Sequence, residues 1–317
     1  MQYEVRKPRP LPRRILFLRR VRNPTGGEVK VRDYFDHCLA HPKVEPYLYF
    51  DPRSLPLAAW QEIWSGVVPE RTVSEIDLFR YDLLFLAGRD WELLPEPPGK
   101  IVINLIQGVR HANPDLPRLF ALLKNFAYRI CVSRQVLEAI APHAVGPAMV
   151  IRNGIPLDQC TPHAARVRGS VLIAAHKRPE FGMELCERLT LKGIAATAAV
   201  AWMPRREFLM RLATAEIFVG LPYQEEGFYL PALEAMANGC AVICADAIGN
   251  RDFCIPSQTC LQPRHDDPED HVEAVEALAE DASLRERIRT AGIAMARGYS
   301  LDSERDAFHR LLDSLLQ

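Results

Sequence analysis

Residues 223–239 read YQEEGFYLPALEAMANG, and they lie between two apolar runs, IFVGL at 217–221 and AVICA at 241–245. Short apolar runs bounded by turn signals suit strands buried on both faces. The stretch between them opens with a polar segment ending in Gly227 and continues in good helix formers. Pro231 suits a first helical turn, where its missing N–H costs nothing. Gly239 suits the residue just past a helix end. The order is therefore strand, loop, helix, strand, the repeating unit of a parallel sheet covered by helices.

The same alternation runs outward in both directions. Towards the N-terminus, residues 14–21 (RILFLRRV), 44–50, 81–87 (YDLLFLA), 100–105 (KIVINL) and 128–132 predict strands. Residues 23–27 (NPTGG) read as a loop, and 28–40 carry Val29, Val31, Phe35 and Leu39 at roughly helical spacing. Residues 52–64 are compatible with a helix that packs Trp60 and Trp64 into a core. Residues 116–126 read as helical, and Ser133 is placed to N-cap a helix over 134–141. At 149–158 an apolar run meets Asn153-Gly154 and Pro156, a turn signal that marks a change of unit. Beyond it, strands at 171–175, 194–201, 217–221 and 241–245 alternate with helices at 183–192, 204–213 and 230–238. Acidic helical stretches at 271–279, 283–296 and 302–316 close the chain. The expected fold class is α/β, with two doubly wound, Rossmann-like parallel-sheet domains covering 1–150 and 151–300. In such sheets ligands bind beyond the carboxyl ends of the strands. The residues that follow the first domain's strands are therefore binding candidates: Gly26 and Gly27, Arg89 and Asp90, and Gln107, Arg110 and His111.

Composition bounds the rest. Of 317 residues 48% are hydrophobic and 25% charged, ordinary globular proportions that suit two cores. No apolar run reaches the ~18 residues of a membrane-spanning helix, and the basic, Pro-rich N-terminus does not resemble a secretory signal. The eight cysteines include no Cys-x-x-Cys pair, which favours buried, reduced thiols in a cytoplasmic protein. Net charge is −1 but uneven: residues 1–150 hold 21 Lys and Arg against 16 Asp and Glu, and 151–317 hold 18 against 24. Eight basic residues crowd between Arg6 and Arg22, which suits either a solvated edge or peripheral contact with an anionic membrane or lipid-phosphate acceptor. No nucleic-acid partner is expected.

The chemistry centres on the opening stretch. A helix that starts near residue 230 presents free N–H groups and a partial positive charge at the mouth of the sheet, an anion site suited to a diphosphate. Glu226 lies ahead of it and Glu234 about one turn inside; carboxylates accept hydrogen bonds from vicinal hydroxyls. The simpler account is that two acids near a helix start favour its dipole. No Gly-x-Gly-x-x-Gly follows any strand, which disfavours a nicotinamide dehydrogenase.

The segment EGFYLPALEAMANGCAVICAD at 226–246 resembles the Glu-x7-Glu signature of the retaining GT-B glycosyltransferases of family four, with Glu226 and Glu234 at the family's spacing. AEIFVGLPYQ, VSRQVLEAI, VIRNGIPLD, TGGEV and YSLDSERDAFHRLL resemble that family's neighbouring segments, the last its closing helix, which crosses back to the first domain. The likeness implies a GT-B architecture, with the acceptor on 1–150 plus the helix at about 301–317 and the nucleotide-sugar donor on 151–300. It implies that Glu226 contacts the donor sugar, Gly227 and Phe228 offer it N–H groups, Tyr229, Leu230 and Pro231 line the diphosphate, and Glu234 holds the ribose. Lys177 and Arg178, in AHKRPEFG, correspond to the clamps for the leaving diphosphate, although the family's preceding glycine is absent. Trp202 and Met203 correspond to the region flanking the base, with interdomain packing as the other reading of Trp202. In that family a histidine or other polar group of the first domain often reaches the donor sugar; His111, after the KIVINL strand, is the candidate for that role here, with a structural histidine as the other reading. No cofactor is implied, and, with no Asp-x-Asp motif, no metal. A sugar-nucleotide epimerase of similar fold and a non-catalytic subunit of an envelope-polysaccharide complex are the rival readings.

Overall fold

The structure, a computed structural model, describes residues 11–21, 26–54, 62–94 and 98–317. The first sheet grows from β1 (Arg13–Arg19), where Ile15 and Phe17 enter one core cluster while Leu16 and Leu18 enter another. A solid apolar run is what a strand buried on both faces requires. It is followed by α1 (Gly26–Leu39), β2 (Val44–Phe50), β3 (Thr72–Val73), β4 (Leu83–Ala87), β5 (Ile101–Ile106), α2 (Pro117–Ala121), β6 (Tyr128–Cys131), α3 (Arg134–Ile140) and β7 (Ala148–Val150). These strands form one parallel sheet in the order β3-β2-β1-β4-β5-β6-β7. Ser133 caps α3 as its sequence predicts, its side chain accepting from the Val136 N–H.

The second sheet comprises β8 (Val167–Ala174), β9 (Ala196–Ala199), β10 (Ala215–Gly220) and β11 (Ala241–Cys244), parallel and ordered β11-β10-β8-β9. Their crossovers are α4 (Pro179–Leu191), α5 (Arg205–Thr214) and α6 (Leu230–Ala237); α7 (Pro268–Glu280) and α8 (Ala282–Ala296) follow. Val171, Ile173, Ile217 and Val219 fill the core on one face, and Leu172, Ala174 and Phe218 that on the other. Helix α9 (Leu301–Leu315) then returns to the first sheet, where Phe308, Leu311 and Leu312 join the cluster of Phe17, Tyr34 and Phe85. The two crossing segments pair side by side: Ile155 N–H donates to the Tyr299 carbonyl at 2.9 Å and Leu301 N–H to the Ile155 carbonyl at 3.2 Å. Gly154 makes this possible, because a Cβ there would overlap the Ser300 carbonyl.

Several expectations change. Gly26 and Gly27 open α1 rather than belonging to a loop. Trp60 lies outside the described residues; Trp64 is buried against Phe35 and Phe50, and its indole donates to Glu28 at 2.8 Å. Of the basic stretch, residues 6, 7, 9 and 22 lie outside the described residues. Neither a solvated edge nor a membrane face describes Arg19 and Arg20, which are turned inward onto Glu28, Asp90 and Asp51. Among the described residues no helix is long and apolar enough to cross a membrane. The eight cysteines are free thiols, six of them buried.

Candidate functional site

The loop from Tyr223 and the start of α6 lie at the carboxyl end of β10, as the alternation requires. Glu226 is half-buried and its carboxylate forms an ion pair with Lys177, from the loop after β8. The Lys177 ammonium lies 5.3 Å from the ring centre of Tyr229 and 5.9 Å from that of Tyr223, whose hydroxyl donates to the Lys177 carbonyl at 2.7 Å. An aromatic floor of this kind favours a cation. Glu234 is 5% exposed, and its Oε1 accepts from Arg205 Nε at 2.8 Å. Each acid of the pair therefore already has a cation, and Glu225 is solvated beside them.

Arg178 is not brought to the same place. Its guanidinium donates to the His265 carbonyl at 2.7 Å and to Asp266 at 2.7 Å, and lies over the Phe181 ring. Of the two basic neighbours, only Lys177 pairs with Glu226. His176 beside it is half-buried, and burial together with Lys177 pushes its imidazole down to about 4.

The helix start offers fewer N–H groups than its sequence suggests. Tyr229 N–H is taken by Asn250 Oδ1 at 2.8 Å, Pro231 has none, and Ala232 N–H turns back to the Tyr229 carbonyl at 3.3 Å. Tyr229 and Leu230 are buried and Pro231 is half-buried, with the Tyr229 hydroxyl directed at the Ala174 carbonyl. Phe228 packs between the two units against Phe253 and Tyr299. Gly227 serves close approach, but of backbone rather than ligand: a Cβ there would lie 2.5 Å from the Gln107 carbonyl oxygen and 2.7 Å from Gly108 Cα. An isolated antiparallel bridge joins Gly108 to Glu226 at this point.

The first unit meets the site through three elements. The Gln107 side chain donates to the Gly27 carbonyl at 3.2 Å, and Gly26 lies against Leu230 of α6. His111 is buried; its Nδ1 donates to the Gly108 carbonyl at 2.9 Å, which leaves Nε2 as an unprotonated acceptor with no partner among the described residues. Burial and Arg110 push the His111 imidazole down to about 4, so it is neutral near pH 7. Arg110 itself is exposed. Two acceptor candidates are otherwise engaged. Asp90 is buried, pairs with Arg19 and accepts from the Arg20 and Ala87 N–H groups, so it anchors the ends of β1 and β4 and offers nothing to a ligand. Arg89 forms an ion pair with Glu92. Trp202 is half-buried, and Met203 packs into the second unit's core.

Sequence reading missed Arg205 and Asn250. Arg205 had a signal, since a cation in the first turn of a helix opposes the helix dipole and needs an anion nearby. Asn250 had none; its amide is completely buried and oriented by Tyr229 and Cys244.

Residues 186–295 match the family Glycosyl transferases group 1. A curated D-inositol 3-phosphate glycosyltransferase of Nocardioides sp. (strain ATCC BAA-499 / JS614) is 29% identical over 127 residues, which are 39% of this chain. The match spans only 28% of that relative's own length. Among solved structures, sucrose-phosphate synthase from Thermosynechococcus elongatus superposes with a TM-score of 0.73 at 14% identity, covering 96% of this chain and 99% of that one. HepE from Anabaena, solved in complex with UDP and glucose, superposes with a TM-score of 0.72 at 11% identity, covering 95% and 100%. The chain has the GT-B fold, two parallel sheets in tandem, as these structures do.

Proposed function

We propose that the chain is a glycosyltransferase that moves a sugar from a nucleoside-diphosphate sugar to a hydroxyl acceptor, with retention of anomeric configuration, in bacterial polysaccharide or glycolipid assembly. One observation carries the reading: Glu226 and Glu234, eight positions apart, each face a cation, Lys177 and Arg205, where the Gly227 backbone docks on Gln107 and Gly108. The UDP-bound HepE structures, of the same fold, support a nucleotide-sugar donor.

In this reading residues 151–300 bind the donor and 1–150, with 301–317, the acceptor. The diphosphate takes Lys177 from Glu226, freeing that carboxylate for the sugar hydroxyls. Glu234 holds the ribose. The bond between the anomeric carbon and the diphosphate oxygen breaks with its electron pair leaving on the diphosphate. The acceptor oxygen attacks from the same face, and its proton passes to the departing phosphate. The unprotonated His111 Nε2 accepts from a donor-sugar hydroxyl. Lys177 neutralises the leaving charge in a partly dry site, so no metal is required. The protein works in the cytoplasm, peripherally at a membrane where the acceptor is lipid-linked.

The test is calorimetry with UDP, GDP and their sugars, followed by turnover. Expected is binding of one nucleoside diphosphate, with Glu226→Gln weakening the nucleotide sugar more than the bare nucleotide. Turnover that vanishes with a chelator and returns with manganese would refute the metal-free step. Conversion of the donor sugar without any acceptor would favour an epimerase. Full turnover in Glu226→Ala and Glu234→Ala would make the pocket a scaffold feature.

A further inference from the structure

Arg205 sits where a cation is least expected, in the first turn of α5, and its contacts are unusual. An arginine and a carboxylate are most stable as a parallel fork, two N–H groups on two oxygens. Here Nε and Nη2 both lie 2.8 Å from the same oxygen, Glu234 Oε1. Nη2 is buried and, despite that ion-pair contact, makes no hydrogen bond to the described residues. Glu234 Oε2 accepts no hydrogen bond from the described residues. A pair built for stability alone would not crowd one oxygen and leave the other idle.

The other side of Arg205 explains its placement. Nη1 lies 3.9 Å from Asp33 Oδ2 on α1, and that oxygen takes the Lys30 ammonium at 2.7 Å. Lys30 is fully buried and also donates to Glu304 of α9 at 2.6 Å and to the Gly154 carbonyl at 3.1 Å. Arg205 is thus pulled towards the first unit by Asp33, which is itself fixed where the chain crosses between units.

We propose that Arg205 is a positioning residue of the donor site: drawn to one side by Asp33, it holds Glu234 by Oε1 alone and keeps Oε2 free for a ribose hydroxyl. This rests on the donor reading above. It adds that discrimination between ribose and deoxyribose depends on a residue remote from the Glu-x7-Glu stretch, and on its tie to α1.

The experiment compares the affinities of UDP and 2′-deoxy-UDP, and of the guanosine pair, for the whole chain and its variants. A hydrogen bond to a charged group is worth roughly ten- to a hundredfold in affinity. The unaltered protein should prefer the ribonucleotide by about that factor. Arg205→Met should bring the ratio close to one, Arg205→Lys should leave an intermediate ratio, and Lys177→Ala should weaken both ligands without changing the ratio. Adding Arg205→Met to Glu234→Gln should cause no further loss of discrimination. An unaltered ratio in whichever Arg205 variant folds, judged by its melting curve, overturns the proposal while leaving the donor reading intact. Absence of binding by any nucleoside diphosphate to the unaltered protein overturns both.

Discussion

Lys177 and Glu226 hold each other in the free protein, so a ligand that enters between them must replace one ion pair with two interactions of its own. This sets different outcomes for different residues. Lys177→Ala should weaken nucleoside diphosphate binding by roughly tenfold or more. Glu234→Gln should weaken bare nucleotide and nucleotide sugar alike, and both are readable by titration calorimetry. His111 supplies a pH signature. Its imidazole is lowered to about 4 by burial, against about 6.5 in an unfolded chain. The unfolded state therefore binds a proton that the native state refuses, and His111 contributes stability that is full above about pH 6.5 and lost as pH falls towards 4. His176 behaves in the same way. Asp90 opposes them, since burial raises its carboxyl to about 6 and protonation there favours the native state. The prediction is accordingly differential: in buffers of equal ionic strength, His111→Gln should lose less melting temperature between pH 7 and pH 5 than the unaltered protein. An equal or larger loss would contradict a neutral, buried His111.

At the scale of elements, the strands were largely legible because each is a short apolar run with turn residues beside it. Residues 44–50 were read as a strand and are β2; 134–141 were read as a capped helix, and α3 with its Ser133 cap spans Arg134–Ile140. Ser133→Ala should cost about 1 kcal/mol in denaturant unfolding. Residues at the ends of elements were harder. The Gly-Gly of 26–27 reads locally as a loop, but Gly26 packs against Leu230, a neighbour two hundred residues away, and the helix begins there. Gly154 shows the same dependence. Its sequence signals a turn, while its need for no side chain comes from Ser300. Gly154→Ala should destabilise by about 1–3 kcal/mol through overpacking, and a neutral result in thermal unfolding would mean the crossing relaxes freely.

The whole molecule is tied together by charge as much as by apolar packing. Lys30 and Glu304 are buried together between α1 and α9, with His37 3.3 Å from the same carboxylate. Removing one partner of a buried pair typically costs about 3–5 kcal/mol, whereas replacing both by apolar residues of similar volume is often neutral. Lys30→Met should therefore unfold at markedly lower denaturant, and Lys30→Met with Glu304→Met should recover most of the loss. Failure of the double variant to recover would show that Lys30 matters chiefly through Asp33 and the Gly154 carbonyl.

The sequence by itself determined the strand and helix alternation, the α/β class and the candidate acids at 226 and 234, because periodicity, caps and spacing are short-range properties of the chain. Only the tertiary structure decided which side chains face the site. Lys177 turns to Glu226 and Arg178 to Asp266, although the two are adjacent; Asp90 is spent on Arg19; Arg205 reaches Glu234 and Asp33. Each of those choices is an electrostatic pairing between residues dozens to well over a hundred positions apart, and charge complementarity at such separations exists only once the sheets have brought the partners together.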